Sequence, residues 1–453
     1  MRHSLTTPLY RALCEVTQKD FSRFHMPGHK GIDRTGVFGD ALRFDITEID
    51  GTDSLYHASD CILQCEQRIA AYYGARRSII STQGSTLCIQ TMLALVRERG
   101  RTLIIARGAH VSAANAVALL DFDPVWVYPE LNQITGVGMP VTPQQIEDAL
   151  LGAKDAAAVY ITSPSYYGVL TDVEGIAAVC GRYGVPLVVD AAHGAHLKAA
   201  GLRDPIQQGA AMCAQSAHKT LPVLTGGAFL HIAHEQFASG AKDAMALFGS
   251  TSPSYLIMLS LDTCVAYLET DAHAEFAALR SRIGGIEQLA HSHGFTQTIP
   301  NGVLHDDTRL SLCAQELGYS GEELARHLAA YRIEPEYVGE SAVVLLPSPA
   351  NTERDFKRLR EAIAAIVPLA LHPQTVLPFV KAVQDMRPRQ AMFAKKETVC
   401  LAGACGRIAA QNQSTCPPGV PVVLCGERIT EGAVQQMHRY GIKHVTVVAA
   451  QHS

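Results

Sequence analysis

The chain of 453 residues is 47% hydrophobic and 18% charged, an ordinary globular composition with ample material for a core. Its length suggests about three domains. A formal net charge of −5 leaves no basic footprint for nucleic acid, and no stretch is long and apolar enough to span a bilayer as a helix. The twelve cysteines are scattered with no C-x-x-C pair, which suits reduced thiols in cytosol rather than a disulfide framework or a zinc site. The opening Met1-Arg2-His3-Ser4-Leu5 carries no apolar signal run, so a cytoplasmic location is expected.

Residues 8–20 have the spacing of a short amphipathic helix. Phe24-His25-Met26-Pro27-Gly28-His29-Lys30-Gly31 is a loop, because Pro27 and Gly28 break any helix there. His25 and His29 therefore share no helix face, and a zinc site built on them with His193 and His196 is a weak reading. Residues 45–53 form an acidic polar loop. Ile62, Ile69, Ala70 and Tyr73 recur at helical spacing before Gly74.

From residue 78 the pattern alternates. Residues 78–82 form a strand, and Gln83-Gly84-Ser85-Thr86 opens an apolar helix through Leu95. That opening is either an ordinary N-cap or a phosphate cup of backbone N–H groups and two hydroxyls. Strands follow over 102–106, 124–128 and 157–162, the last running into Ser163–Gly168. Helices over 110–120, from Thr142 and over 172–183 separate them. Residues 185–190 form a strand ending on Asp190, and 210–214 a strand running into the polar turn Gln215-Ser216-Ala217-His218-Lys219-Thr220. Residues 227–232 complete the series. Helices are expected over 252–268 and 272–294, a strand over 303–312, a capped helix from Ser320 to about Tyr331, a strand over 342–346 and a helix over 351–367. The tail holds Cys416-Pro417-Pro418-Gly419, a strand over 422–424, Cys425-Gly426-Glu427, and a last helix and strand. We divide the chain into 1–60 (N-terminal loops), 61–290 (a large α/β domain), 291–375 (a small α+β domain) and 376–453.

Continuous apolar strands separated by helices imply a mostly parallel sheet, and such sheets bind ligands at the carboxyl ends of their strands. Gly84-Ser85-Thr86, His110, Ser163–Gly168, Asp190 and Lys219 all fall at such ends. A lone lysine there is commonly a surface residue. A lysine leaving an apolar strand beside an aspartate and a phosphate cup is what a Schiff-base cofactor needs.

With Phe24–Gly31, Gln83–Thr86, His110 with Ser112, Pro164–Gly168, Asp190–His196, Ser216–Thr220, Thr251–Tyr255, Pro417–Gly419 and Gly426-Glu427, the chain resembles the Orn/Lys/Arg decarboxylases, in the family's order over nearly its whole length. The resemblance implies a fold-type I (aspartate-aminotransferase-like) large domain and small α+β C-terminal domains, with pyridoxal 5'-phosphate as cofactor. It implies that Lys219 carries the cofactor as a Schiff base until substrate amine displaces it. Asp190 would pair with the ring nitrogen, His110 stack on the ring, and Ala192 pack on its other face. Gly84, Ser85, Thr86, Ser216 and His218 would hold the phosphate, with His193 nearby. The site in this fold lies between two subunits, so a homodimer or larger homo-oligomer is expected, with Ser250 or Thr251 reaching the phosphate of the neighbouring chain.

The implied reaction is decarboxylation of a basic amino acid, arginine first, then lysine or ornithine. Lys219, His193, His196 and His29 are candidates for returning a proton to Cα; Asp53 and Glu427 are candidates for meeting the distal cation. Alternatives are transamination or elimination on the same fold, or a non-catalytic relative that binds cofactor. The chain departs from the family at Ala191 (usually Glu), Val111 (commonly Lys), Gly226 (commonly Gln) and Cys416 (usually aromatic). The N-terminal wing of the large members is missing, so assemblies built through it are not expected.

Overall fold

The structure, a computed structural model, describes residues 6–370, 381–414 and 419–450. It comprises two compact units. One holds the chain up to Leu95 together with Val188–Glu275; the other holds Val96–Leu187 and the chain from Phe276.

Seven strands, separated by helices except between the fifth and sixth, run β1 (Arg77–Ser81), β2 (Thr102–Ala106), β3 (Asp123–Val127), β4 (Ala156–Thr162), β5 (Leu187–Asp190), β6 (Met212–Gln215) and β7 (Ala228–Ile232). The first unit has the order β1-β7-β6-β5, and the second β4-β2-β3. β5 and β6 run parallel, as do β2 with β3 and β2 with β4. Only β7 pairs antiparallel, with β1 and β6. β5, β6 and β7 are buried at every position, so their apolar runs show no alternation, as in sheets covered on both faces. β3 ends the order of its unit and is only half-buried.

Helix termini follow local chemistry. Gly74 closes Cys61–Tyr73 in the left-handed conformation. Thr142 and Gln145 form the expected capping box for Pro143–Gly152, and the Asp172 carboxylate accepts from the Gly175 N–H to start Val173–Tyr183. In the second unit β8 (Thr296–Gln297), β9 (Leu310–Cys313), β10 (Tyr337–Val338) and β11 (Ala342–Leu345) form an antiparallel sheet in the order β10-β11-β9-β8. The strand expected over 303–312 begins only at Leu310. Asp306 accepts from the Thr308 N–H and hydroxyl, folding those residues into a turn. Near the C-terminus, β12 (Lys396–Cys400) pairs with β15 (His444–Val448) and β13 (Gln413–Ser414) with β14 (Pro421–Val423). Leu401, Val423, Ile429, Met437 and Val447 form the core there, under helix Glu431–Arg439.

A buried polar chain crosses β1, β7 and β6. Ser78 Oγ lies 2.7 Å from His231 Nδ1, His231 Nε2 3.0 Å from Gln215 Oε1, and Gln215 Nε2 donates to Asp204 at 2.5 Å. The Gln215 carbonyl oxygen can only accept, so His231 carries its proton on Nε2 and accepts the Ser78 hydroxyl at Nδ1. Burial pushes the His231 ring down to about 3. Its folded pKa lies below the unfolded one, so unfolding takes up a proton between about pH 6.5 and 3, and stability falls as pH drops through that window. Asp204, pushed up to about 6 by burial, has the opposite sign: its contribution grows as pH falls from about 6. Urea unfolding of wild type and His231→Leu over a pH series separates the two. The stability difference between them shrinks by up to roughly 1.4 kcal/mol per pH unit below about pH 6.5. A difference that does not change with pH overturns this assignment.

Candidate active site

Lys219 lies not in a polar turn, as the sequence pattern suggested, but on a one-turn helix, Ala217–Thr220, directly after β6. The turn is held by hydrogen bonds from the His218 N–H to the Gly227 carbonyl and from the Leu221 N–H to the Ala217 carbonyl. It aims the amine sideways: Lys219 Nζ lies 3.0 Å from His193 Nε2. Because β5 and β6 are parallel, with Asp190 opposite Ala214, the aspartate and the lysine turn follow strand ends of the same direction. Asp190 is buried, and its Oδ1 accepts from the Ala192 N–H at 3.1 Å.

The hydroxyls gather in the same unit. Helix Gly84–Val96 follows β1, and Ser216 Oγ donates to Ser85 Oγ at 2.9 Å. The first-turn N–H groups of that helix have no carbonyl one turn back to accept them. The Gly84 N–H is the exception, donating to the Gly226 carbonyl at 2.7 Å. Gly226 has φ +100°, and a side chain there would place Cβ 2.9 Å from the Thr82 carbonyl oxygen. A glutamine at this position cannot stand on this backbone without a shift. Of the other departures, buried Ala191 donates its N–H to Ala214, and Cys416 lies outside the described residues. His218 Nδ1 is 2.9 Å from the Gly227 carbonyl, so that nitrogen carries a proton. Thr86, Ser250 and Thr251 are exposed.

The second unit holds His110, the N-cap of helix Val111–Leu119. The Ser112 N–H donates to His110 Nδ1, so the neutral ring carries its proton on Nε2. The Val111 N–H donates to the Gly419 carbonyl at 2.7 Å. Three residues before His110, Arg107 leaves β2 and is 3% exposed. Its guanidinium pairs twice with Glu427, once at 2.8 Å, donates to the Val422 carbonyl, and lies over the Trp126 and Tyr128 rings. Glu427 also accepts from the Leu424 N–H. Its carboxylate is thus engaged within its own unit, which corrects the expectation that it meets a substrate cation. The Ser163–Gly168 loop follows β4, and the Tyr166 hydroxyl donates to Glu336 at 2.6 Å.

Other candidates have local roles. Asp53 accepts from the N–H groups of Ser54, Ser59, Asp60 and Ile62. Burial alone would raise its pKa; those four donors bring it below the usual value. The carboxylate organises the start of helix Cys61–Tyr73, which argues against a role at a substrate cation. His29 pairs with Asp45 at 3.1 Å, and His196 is 1% exposed. Among the described residues, no three His, Cys, Asp or Glu side chains are grouped to hold a metal, and no helix is long and apolar enough to cross a membrane.

Residues 7–283 match the model of the Orn/Lys/Arg decarboxylase major domain, and residues 374–444 that of its C-terminal domain. The chain is 32% identical to the uncharacterized protein YaaO of Bacillus subtilis (strain 168), over 96% of this chain and 94% of that one. It is 29% identical to an arginine decarboxylase of the same organism, over 94% of this chain and 91% of the relative. Its fold is similar to that of Francisella novicida lysine decarboxylase LdcF, with TM-score 0.81 at 17% identity, over 98% of this chain and 81% of the other.

Enzymes of this family and fold use pyridoxal phosphate. The residues present suit it: an amine held beside an imidazole, a buried carboxylate, paired serine hydroxyls at a helix start, and open space beside Gly84, where a Cβ would meet nothing within 4 Å. With both of its domain models matched and the mostly parallel α/β architecture of the fold-type I pyridoxal-phosphate enzymes, the chain belongs to the Orn/Lys/Arg decarboxylase family.

Proposed function

We propose that the protein decarboxylates a basic amino acid, arginine first, then lysine or ornithine, releasing CO2 and the corresponding amine. The observation that carries this reading is the contact of Lys219 Nζ with His193 Nε2 on the strand ends that bear Asp190 and Ser216. Bound pyridoxal phosphate supplies the electron sink for the pair released as the Cα–carboxylate bond breaks. Asp190 would hold the proton on the ring nitrogen through a charge-assisted hydrogen bond. Gly84, Ser85, Thr86 and Ser216 bind phosphate through N–H and hydroxyl groups. His218 already donates Nδ1–H to Gly227, so it donates to phosphate through Nε2 only as the imidazolium. By the family resemblance, His110 would cover one ring face and Ala192 would leave room at the other.

Lys219 anchors the cofactor and yields it to the substrate amine. Amine and imidazole lie 3.0 Å apart, close enough for a proton to pass between Nζ and Nε2. Of the histidines considered, His193 lies against the lysine, and His29 is engaged by Asp45. Lys219 then returns a proton to Cα as CO2 departs, which balances the reaction at one proton taken up per amine formed. The protein acts in the cytoplasm as a homodimer or larger homo-oligomer, and the exposed Ser250 and Thr251 are free to serve a neighbouring copy. In this reading the 61–290 part binds the cofactor, and the parts 1–60, 291–375 and 376–453 complete its surroundings.

Titration of the cofactor-loaded protein with arginine, lysine and ornithine, followed by product analysis, tests this. Arginine is expected to change the visible absorption and yield agmatine with CO2. Keto-acid products from any of the three would replace this reading with transamination, and a spectrum indifferent to all three with a non-catalytic role.

A further inference from the structure

We infer that residues 419–427 form a positioning element for His110, locked to the end of β2 by the Arg107–Glu427 pair, so that the C-terminal part sets the ring that covers the cofactor. This rests on the cofactor reading above. Gly419 has φ +72° and passes so close to His110 that a Cβ would lie 2.5 Å from Nε2 and 2.6 Å from Cδ2. The ring has little freedom to retreat, because Nδ1 is held by the Ser112 N–H and lies 2.8 Å from the Ser112 hydroxyl. The Gly419 carbonyl also accepts the Val111 N–H, tying the same loop to the residue after His110. The ring is therefore fixed from its helix on one side and backed by a bare backbone on the other.

Eight residues on, Glu427 closes the arrangement. Its carboxylate takes two guanidinium bonds from Arg107 and the Leu424 N–H, while Arg107 also donates to Val422. A buried bidentate pair has one good geometry, so it fixes register as well as contributing energy. Both ends of the 419–427 segment thus meet the chain between Arg107 and Val111. The Pro-Pro-Gly and Gly-Glu motifs acquire separate tasks: glycine leaves room for the ring, and glutamate keeps the glycine there.

The test is a double-mutant cycle on cofactor binding. Wild type, Gly419→Ala, His110→Ala and the double variant are compared by pyridoxal-phosphate dissociation constant and by induced circular dichroism of the bound cofactor. Gly419→Ala is expected to weaken cofactor binding by roughly three- to ten-fold, the scale of one aromatic stacking contact, and to change the dichroism. In the His110→Ala background the same substitution adds nothing, because the ring it displaced is gone. If Gly419→Ala does not fold, the double variant is expected to, since the crowding is relieved. Equal losses in both backgrounds, or no effect in either, overturn the inference, as does failure of both Gly419→Ala chains to fold. A wild-type chain that takes up no cofactor overturns the functional reading itself, and this inference with it.

Discussion

A Lys219→Ala chain is expected to lose the absorption of the lysine-bound cofactor and to decarboxylate about a thousand-fold or more slowly than wild type. The proposed reaction gives the amine two tasks. In that reaction it anchors the cofactor covalently and, lying 3.0 Å from His193 Nε2, returns the proton to Cα. Alanine removes both, and on the proposed reading Asp190, Ser85 and Ser216 would still bind the cofactor reversibly. The check combines the visible spectrum, dialysis of the cofactor and amine production from the preferred substrate. A Lys219→Ala chain that keeps its spectrum through dialysis, or that retains a tenth of wild-type activity, would place the covalent link elsewhere. His193→Gln keeps the lysine and is expected to lower kcat while shifting its pH profile, because the imidazole beside Nζ is gone.

Glu427→Ala is expected to be the most destabilising substitution considered, at about 3–5 kcal/mol, because it strands a buried guanidinium. Arg107 is 3% exposed and Glu427 1%, so water cannot replace the lost carboxylate. Removing both charges is a different matter. An Arg107→Met/Glu427→Leu chain gives up the pair without leaving a bare charge, and its stability is expected to recover most of the loss. Urea midpoints at unchanged slope measure both effects. A double variant no more stable than Glu427→Ala would show that the pair stabilises by more than its desolvation costs.

Much of this protein could be read before any coordinate. Runs such as Val188-Val189 and Ala228-Phe229-Leu230 have no polar alternation, and a run of that kind must be covered on both faces, so the α/β class follows. Asp190 and Lys219 stood out because a charge at the end of an apolar strand calls for a partner. The same argument applied to Arg107, three residues before His110, and would have identified it. Its partner Glu427 is too far along the chain for any local pattern to signal the pairing. The strand expected over 303–312 failed for a local reason, since Asp306 turns the chain back onto Thr308.

By itself the amino-acid order determined the fold class and the cofactor, and it pointed to the strand ends proposed to carry the chemistry. These depend on periodicity and on residue type at a given element end, which are properties of short stretches. Tertiary structure alone decided which imidazole meets the lysine, which way the His231 proton points, and that Glu427 is bound to Arg107 rather than left for substrate. It also decided that Gly419 stands against His110. Those facts depend on the direction of a side chain across a gap of a few ångströms, between residues far apart in the chain, and only packing sets that direction.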